Sequence, residues 1–359
     1  MSDVGSGSAS EGLPTRKLKS RLAMRAMKTL GLRYVSTDTL TIRRRRQGPN
    51  FTYETESGRT VRDIKVRARL KRLAMPPAYQ DVLYATDARA HLQAIGRDAA
   101  GRLQYRYHPD WTKVRETRKA KQLQRLVEAL PRIRRIVGKH LGTAEPTRAF
   151  ALSAVIELVS STAIRPGSES YAKANGTRGA ATLLKSNIDV SGATITLKFR
   201  AKGGKDVEKE FRCPRVAGAI GVLRQLPGRR MFQYRDEAGA VRIVTATDVN
   251  EFLREIADVK ISLKDLRTLS ASAAALEVLA HIEPAASERG RRRQVRDACT
   301  TVSEHLLNTP TIVRKSYVHE TVVAAFESGA LRRVSETLKR SRSPARREQL
   351  LAKVVASAR

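Results

Sequence analysis

The sequence predicts an α+β protein: a small N-terminal domain built on an antiparallel sheet, then a larger, mainly α-helical domain with a β-hairpin inside it. Three observations carry this. Between residues 33 and 111, short runs of alternating polar and apolar residues are separated by turn signals. From about residue 112, apolar residues recur at helical spacing for most of the remaining chain. Within that helical stretch, residues 195–199 and 207–211 alternate on either side of a Gly-Gly pair. With 359 residues, two or three domains are expected. The divisions fall at 1–24, a mobile basic arm rich in Gly and Ser; 25–113, the β-rich domain; 114–330, the helical domain; and 331–359, a basic tail.

In the β-rich domain, 40–42, 51–55 and 103–107 read as strands, with turns at Gly48-Pro49-Asn50, Ser57-Gly58 and Gly101. A short basic helix is expected at 21–32 and another helix at 63–73. One sheet face would carry Arg43 to Arg46, Arg106 and aromatic rings, a mixture suited either to phosphates and base edges or to an ordinary core of alternating rings.

Helices follow at 112–130 and 132–141, and a long apolar one at 147–164 stops before Pro166. The hairpin strands 195–199 and 207–211 flank Lys202-Gly203-Gly204-Lys205. Read as a two-residue Gly-Gly turn, this projects two lysines. Ser262-Leu263-Lys264-Asp265 has the form of a capping box and sets Arg267 in an early turn of a helix with Leu266, Leu269, Ala273 and Leu276 on its core side. A helix at 293–307 ends near Asn308 and Pro310, and one amphipathic segment then runs from Ile312 to Gly329. The basic residues after Ala330 read as a solvated, partly helical extension that adds nonspecific affinity for nucleic acid.

Lys and Arg number 69 against 35 Asp and Glu, a net charge of +34. That favours a polyanionic partner, in an enzyme or in a packing protein. Cys213 and Cys299 are the only cysteines and the six histidines do not gather around them, so neither a disulfide framework nor a zinc site is expected. No apolar run approaches a membrane span, and the N-terminus lacks an apolar signal region. A soluble protein in a reducing compartment is expected.

Four places offer phosphate-directed groups: Arg165 after the apolar helix, Lys202 at the hairpin tip, Arg267 in the capped helix, and Asn308, nine residues before Tyr317. Tyr317 is flanked in sequence by Arg314, Lys315 and His319. Nearby cations favour the phenolate, as a tyrosine that attacks phosphate requires. Taken alone, the same residue reads as a tyrosine at the rim of an amphipathic helix. Arg165 alone also reads as a helix C-terminal cation, and Lys202 as a solvated turn lysine.

Taken in order, these segments resemble the type IB DNA topoisomerases, in the small bacterial and poxvirus form. Thr162-Ala163-Ile164-Arg165-Pro166-Gly167-Ser168-Glu169-Ser170-Tyr171, with Asn175-Gly176-Thr177-Arg178-Gly179 and Thr182-Leu183, resembles the family's first arginine motif. Lys264-Asp265-Leu266-Arg267-Thr268 resembles the second, and 307–317 the nucleophile motif. Gly101-Arg102-Leu103-Gln104-Tyr105-Arg106-Tyr107-His108 resembles the DNA-facing strand of the N-terminal domain. The likeness spans roughly residues 25–330.

The resemblance implies reversible phosphoryl transfer without a cofactor, metal or ATP, relaxing positive and negative supercoils in double-stranded DNA. Tyr317 would be the nucleophile, forming a 3′-phosphotyrosyl intermediate. Lys202 would be the general acid, chosen over Lys205 on its spacing from Phe199 and Arg165. Arg165, Arg267 and Asn308 would bind phosphoryl oxygens; many members carry histidine where Asn308 stands. Gln104, Tyr105, Tyr107 and Tyr171 would lie against DNA. A monomer clamping the duplex between its two domains, cytoplasmic and nucleoid-associated, is implied.

A tyrosine recombinase shares the chemistry. Recombinases usually carry His-x-x-Arg where this chain has Lys264-Asp265-Leu266-Arg267, and their N-terminal domain is typically helical. A DNA-packing protein would explain the charge but not the ordered set of Arg165, Lys202, Arg267 and Tyr317.

Overall fold

The structure, a computed structural model, describes residues 21–340 and 343–357. Of the predicted N-terminal arm, residues 1–20 lie outside that range. The chain divides into two compact units, Met1–Lys119 and Ala120–Arg359.

In the first unit, α1 (Arg21–Thr29) buries Ala23 and Met27 with Leu32, Trp111 and Val114. The strands β1 (Ile42–Gln47) and β2 (Asn50–Glu54), the helix α2 (Ile64–Arg72), and the strands β3 (Gln80–Tyr84), β4 (Leu92–Arg97) and β5 (Leu103–Tyr107) complete it. The antiparallel sheet has the order β2-β1-β3-β4-β5. Asp63 caps α2, accepting hydrogen bonds from the amides of Lys65 at 2.7 Å and Val66 at 3.1 Å. The sequence reading missed β3 and β4. Leu92 to Gly96 are buried in succession, so no polar-apolar alternation marks β4.

Register divides the predicted basic face in two. Arg43 pairs with Leu83, Leu83 with Ile95 and Ile95 with Tyr105, so these side chains share one face, together with Arg45 and Tyr107. Arg44, Arg46, Gln104 and Arg106 fall on the other face, beneath α2. There Arg44 donates to the carbonyls of Met75, Pro76 and Tyr79 and lies 4.2 Å from the Phe51 ring centroid, which makes it a structural residue.

A single helix, α3 (Pro109–Leu141), replaces the two predicted around Pro131 and contains the division between the units. Leu126, Leu130, Ile133 and Val137 keep one stripe buried across the proline. Their burial outweighs the roughly 3 kcal/mol that an interior proline costs.

The apolar helix α4 (Arg148–Thr162), capped by Thr147, is the axis of the second unit. After α5 (Glu169–Asn175), the predicted hairpin is part of a three-stranded sheet of β6 (Ile188–Ser191), β7 (Thr194–Arg200) and β8 (Asp206–Arg212). Next come α6 (Pro214–Arg224), an unpredicted ribbon of β9 (Gln233–Arg235) and β10 (Val241–Ile243), and α7 (Ala246–Ala257). Helices α8 (Leu263–Ala280) and α9 (Glu288–Leu306) follow. The predicted amphipathic segment 312–329 is broken into α10 (Pro310–Ser316) and α11 (Glu320–Glu327).

The tail is not a solvated extension. Helices α12 (Arg332–Arg340) and α13 (Pro344–Ser357) bury Leu338, Leu350, Leu351 and Val355 in the main core. Arg347 pairs with Glu277 at 2.8 Å, and Glu348 with Arg134 at 2.8 Å. A short apolar stripe among arginines concealed this packing. Among the described residues, no helix is long and apolar enough to cross a membrane.

Candidate active site

Two helix ends deliver the first pair of polar groups. Helix α4 closes on Ala163 in the left-handed conformation (φ 54°), and Arg165 follows two residues later. Helix α9 closes on Leu307, also left-handed (φ 55°), and Asn308 follows. Each of these residues bears a Cβ, so each closure is strained by about 1 kcal/mol. Backbone bonds offset the strain: Asn308 N donates to Ser303 O at 3.1 Å, a Schellman-type closure, and Ala163 N to Val159 O at 2.9 Å. The Arg165 guanidinium donates to Asn308 Oδ1, joining the two helix ends.

The Arg165 loop is held by its neighbours. Ala180 N donates to Arg165 O and Ala181 N to Pro166 O, both at 2.8 Å. Arg230 grips Glu169 through two bonds of 2.9 and 2.7 Å and also donates to Ala181 O. Gly179 must be glycine for steric reasons, since an added Cβ would sit 2.5 Å from Gly167 N and 2.6 Å from Arg165 O.

The hairpin brings Lys202 to the same place. Its connection is five residues, Ala201 to Lys205, because Arg200 pairs with Asp206 and Ala201 N donates to Lys205 O. The glycines do take the expected positive φ, 85° and 74°. Arg178 N donates to Arg200 O at 2.7 Å, and Arg165 Nη1 lies 3.5 Å from Lys202 O. Lys202 Nζ rests 4.6 Å from the centroid of the exposed Tyr171 ring.

Arg267, on α8, is 1% exposed. Its Nη2 donates to Leu306 O at 3.2 Å, while its buried Nε and Nη1 have no acceptor among the described residues. The guanidinium lies 5.0 Å from the centroid of the Tyr317 ring. Burial pushes its pKa down, the Tyr317 phenol acts the other way, and Arg165 adds to the lowering. A buried arginine with two unused N–H-bearing nitrogens beside a tyrosine is arranged to accept an anion.

Tyr317 closes α10 at the break before α11. Ser272, a fully buried residue of α8, makes that break: its hydroxyl donates to Tyr317 O at 2.9 Å and accepts from His319 N at 3.1 Å. The cation against the tyrosine ring is therefore Arg267, while Arg314 and His319 are engaged elsewhere. Arg314 is bound twice by Glu320, at 2.7 and 2.8 Å, and His319 is buried with its Nδ1 2.8 Å from the Thr321 hydroxyl.

Arg165, Lys202, Arg267, Asn308 and Tyr317 thus form one linked group, with Tyr171 against Lys202. Gln104, Tyr105 and Tyr107 belong to the first unit, on β5. Tyr105 and Tyr107 are half-buried and stacked at 6.2 Å, and Gln104, on the opposite face, donates to Asp98 at 2.9 Å. The sequence reading missed Ser272 and Lys209. Lys209 Nζ donates to Thr162 O at 2.8 Å and His305 O at 2.7 Å, and burial followed by the charge of Arg267 lowers its pKa to about 8. A signal for it existed: in Val207-Glu208-Lys209-Glu210-Phe211 the lysine shares the inward register of Val207 and Phe211.

Residues 108–343 match the family model of the eukaryotic DNA topoisomerase I catalytic core, and residues 50–98 that of the bacterial DNA topoisomerase IB N-terminal domain. The chain is similar to the DNA topoisomerase 1B of Acanthamoeba polyphaga mimivirus, 27% identical over 297 residues that cover 80% of this chain and 88% of the viral one. This chain belongs to the type IB DNA topoisomerase family and is a type I topoisomerase, an isomerase.

Proposed function

We propose that this enzyme relaxes positive and negative supercoils in double-stranded DNA through a 3′-phosphotyrosyl intermediate at Tyr317, without ATP or metal. The observation that carries the reading is the buried Arg267 guanidinium, 5.0 Å from the Tyr317 ring and with two nitrogens lacking protein acceptors. Tyr317 Oη attacks the phosphorus and the bond to the 5′-oxygen breaks. The phenol proton leaves to solvent, and the departing oxygen takes a proton from Lys202. Lys202 must first leave the Tyr171 ring, and bound DNA competes for that ring. Arg165 and Arg267 bind the non-bridging oxygens as charge builds there, and Asn308 adds a neutral hydrogen bond. The cut strand rotates, and its 5′-hydroxyl reverses the reaction. One phosphate ester replaces another, so ATP hydrolysis is unnecessary.

Tyr171, 41% exposed, is the DNA contact nearest this chemistry. On the first unit, Tyr105 and Tyr107 share a face with Arg43 and Arg45 and form the DNA-facing patch. Gln104 joins in only by releasing Asp98. A single site nicks one strand, so the enzyme acts as a monomer, on the nucleoid in the cytoplasm. A recombinase would share the chemistry, but the match to topoisomerase models in both units favours relaxation.

The test is relaxation of supercoiled plasmid in EDTA without ATP, wild type against Tyr317→Phe. Relaxation of both supercoil signs by wild type, with none by a variant that still binds DNA, is expected. A folded wild type that shifts plasmid mobility without changing linking number would refute the reading.

A further inference from the structure

The hairpin carries a second lysine whose surroundings differ from those of Lys202. Lys209 lies on β8, opposite the fully buried Leu197 of β7 and on the same face as Val207 and Phe211. A strand position of that kind normally holds an apolar side chain. Here it holds an ammonium, and both of the acceptors assigned to it are backbone carbonyls at helix C-termini.

Thr162 O belongs to the last residue of α4, and His305 O to the penultimate residue of α9. The last carbonyls of a helix have no partner within the helix and carry the negative end of its dipole. One ammonium caps two such ends. Both helices also close on left-handed residues bearing a Cβ: Ala163, two residues before Arg165, and Leu307, immediately before Asn308. The next carbonyl of α9, Leu306 O, accepts from Arg267 Nη2 at 3.2 Å and from Asn308 Nδ2 at 3.4 Å. Successive carbonyls at one helix end are therefore held by Lys209 and by the phosphate-directed group itself.

We propose that Lys209 is a positioning residue of the active site: by tying the C-terminus of α4 to that of α9, it sets the separation at which Arg165, Asn308 and Arg267 meet one phosphate. It does not touch the DNA. It acts through the two helix ends, and the proposal rests on the reading of Tyr317 as nucleophile. The lowered pKa of Lys209 agrees with a half-buried ammonium beside Arg267, though the geometry alone carries the argument.

The experiment follows formation of the covalent protein–DNA complex in a single turnover, with enzyme saturating over a duplex substrate. It compares wild type, Lys209→Met, Lys209→Gln and Lys209→Arg, with Kd for the same duplex measured in parallel. Met removes both bonds. Gln is polar but too short to reach both carbonyls. Arg can donate to both. The expected result is cleavage slowed by about 10- to 100-fold in Met and Gln at unchanged Kd, the scale of a misplacement near 1 Å, with Arg restoring most of the rate. Should Met fail to fold, Gln against Arg gives the same comparison. A folded Met or Gln variant that cleaves at the wild-type rate overturns the proposal. So does a defect that appears only in Kd, or an Arg variant no faster than Gln. Wild type that forms no covalent complex would instead refute Tyr317 as nucleophile, and the role of Lys209 with it.

Discussion

Arg267 should matter far more to the chemistry than to the fold, and, Lys and Arg being far from equivalent at such sites, the informative substitution is Arg267→Met. The side chain is 1% exposed, and two of its three nitrogens have no acceptor among the described residues. Each buried unsatisfied donor costs about 1–3 kcal/mol. Against that, Met gives up the bond to Leu306 O, worth about 1.5–3 kcal/mol for a charged donor. It also gives up the contact with the Tyr317 ring, about 2 kcal/mol for a desolvated cation. Leu306 O keeps Asn308 Nδ2 at 3.4 Å and so is not orphaned. The net lies between about 3 kcal/mol against Met and about 2.5 kcal/mol in its favour, centred near zero, whereas truncating a buried side chain ordinarily destabilises. In the transition state the balance is one-sided. Losing a charged donor to the phosphoryl oxygens should slow cleavage by about 10²–10³-fold. Urea unfolding gives the first quantity and single-turnover cleavage the second. A Met variant destabilised by more than about 3 kcal/mol would show that Arg267 is chiefly structural. One that cleaves at the wild-type rate would remove it from the site.

Ser272→Ala removes both hydrogen bonds at the helix break, so it should cost about 1–3 kcal/mol in urea unfolding and slow cleavage without weakening DNA binding, as the Tyr317 ring loses its anchor. Gly179→Ala places a Cβ against the backbone of Gly167 and Arg165, and the forced shift should lower both thermal stability and cleavage, whereas Gly176→Ala, with open space around it but φ 65°, should affect stability alone. His91 is buried among Tyr34, Tyr107 and Trp111, and burial lowers its pKa to about 4. Its Nδ1 accepts from Val35 N at 3.2 Å, which requires the neutral ring. The unfolded chain binds this proton near pH 6.5 and the folded one only near 4, so the contribution is full above pH 6.5 and falls as pH drops; about 2 kcal/mol should be gone by pH 5, and His91→Gln should lack that part of the pH dependence in urea unfolding.

Much of the architecture was legible because it rests on local signals. Asp63, Thr147 and the Ser262–Asp265 pair announce helix starts, and in the last Ser262 N and Oγ both donate to Asp265 Oδ2, at 2.8 and 2.7 Å. Arg165, Lys202, Arg267 and Asn308 also stand out in the sequence, each near a breaker or a cap. What stayed hidden depends on contacts distant in sequence. Pro131 reads as a helix end until the buried stripe of α3 is seen to run past it, and the break at Tyr317 reads as continuous helix because Ser272, which makes it, lies 45 residues away. In the sequence, the cation nearest Tyr317 is one of its neighbours, such as Arg314. Arg314 is instead bound by Glu320, and the charge comes from another helix.

The same distinction explains the two hairpin lysines. Lys202 stands out in the sequence because glycines follow it, and a turn advertises itself. Lys209 lies inside an alternating strand, where a lysine between valine and phenylalanine breaks the apolar pattern without showing what would satisfy it. The answer lies in α4 and α9, 47 and 96 residues away along the chain. A charged residue at an inward strand position has to find acceptors, and the last carbonyls of helices are the unpaired acceptors that a mainly helical domain has to offer. Such a residue therefore marks where helix ends converge, and in this enzyme they converge on the residues that would hold the phosphate.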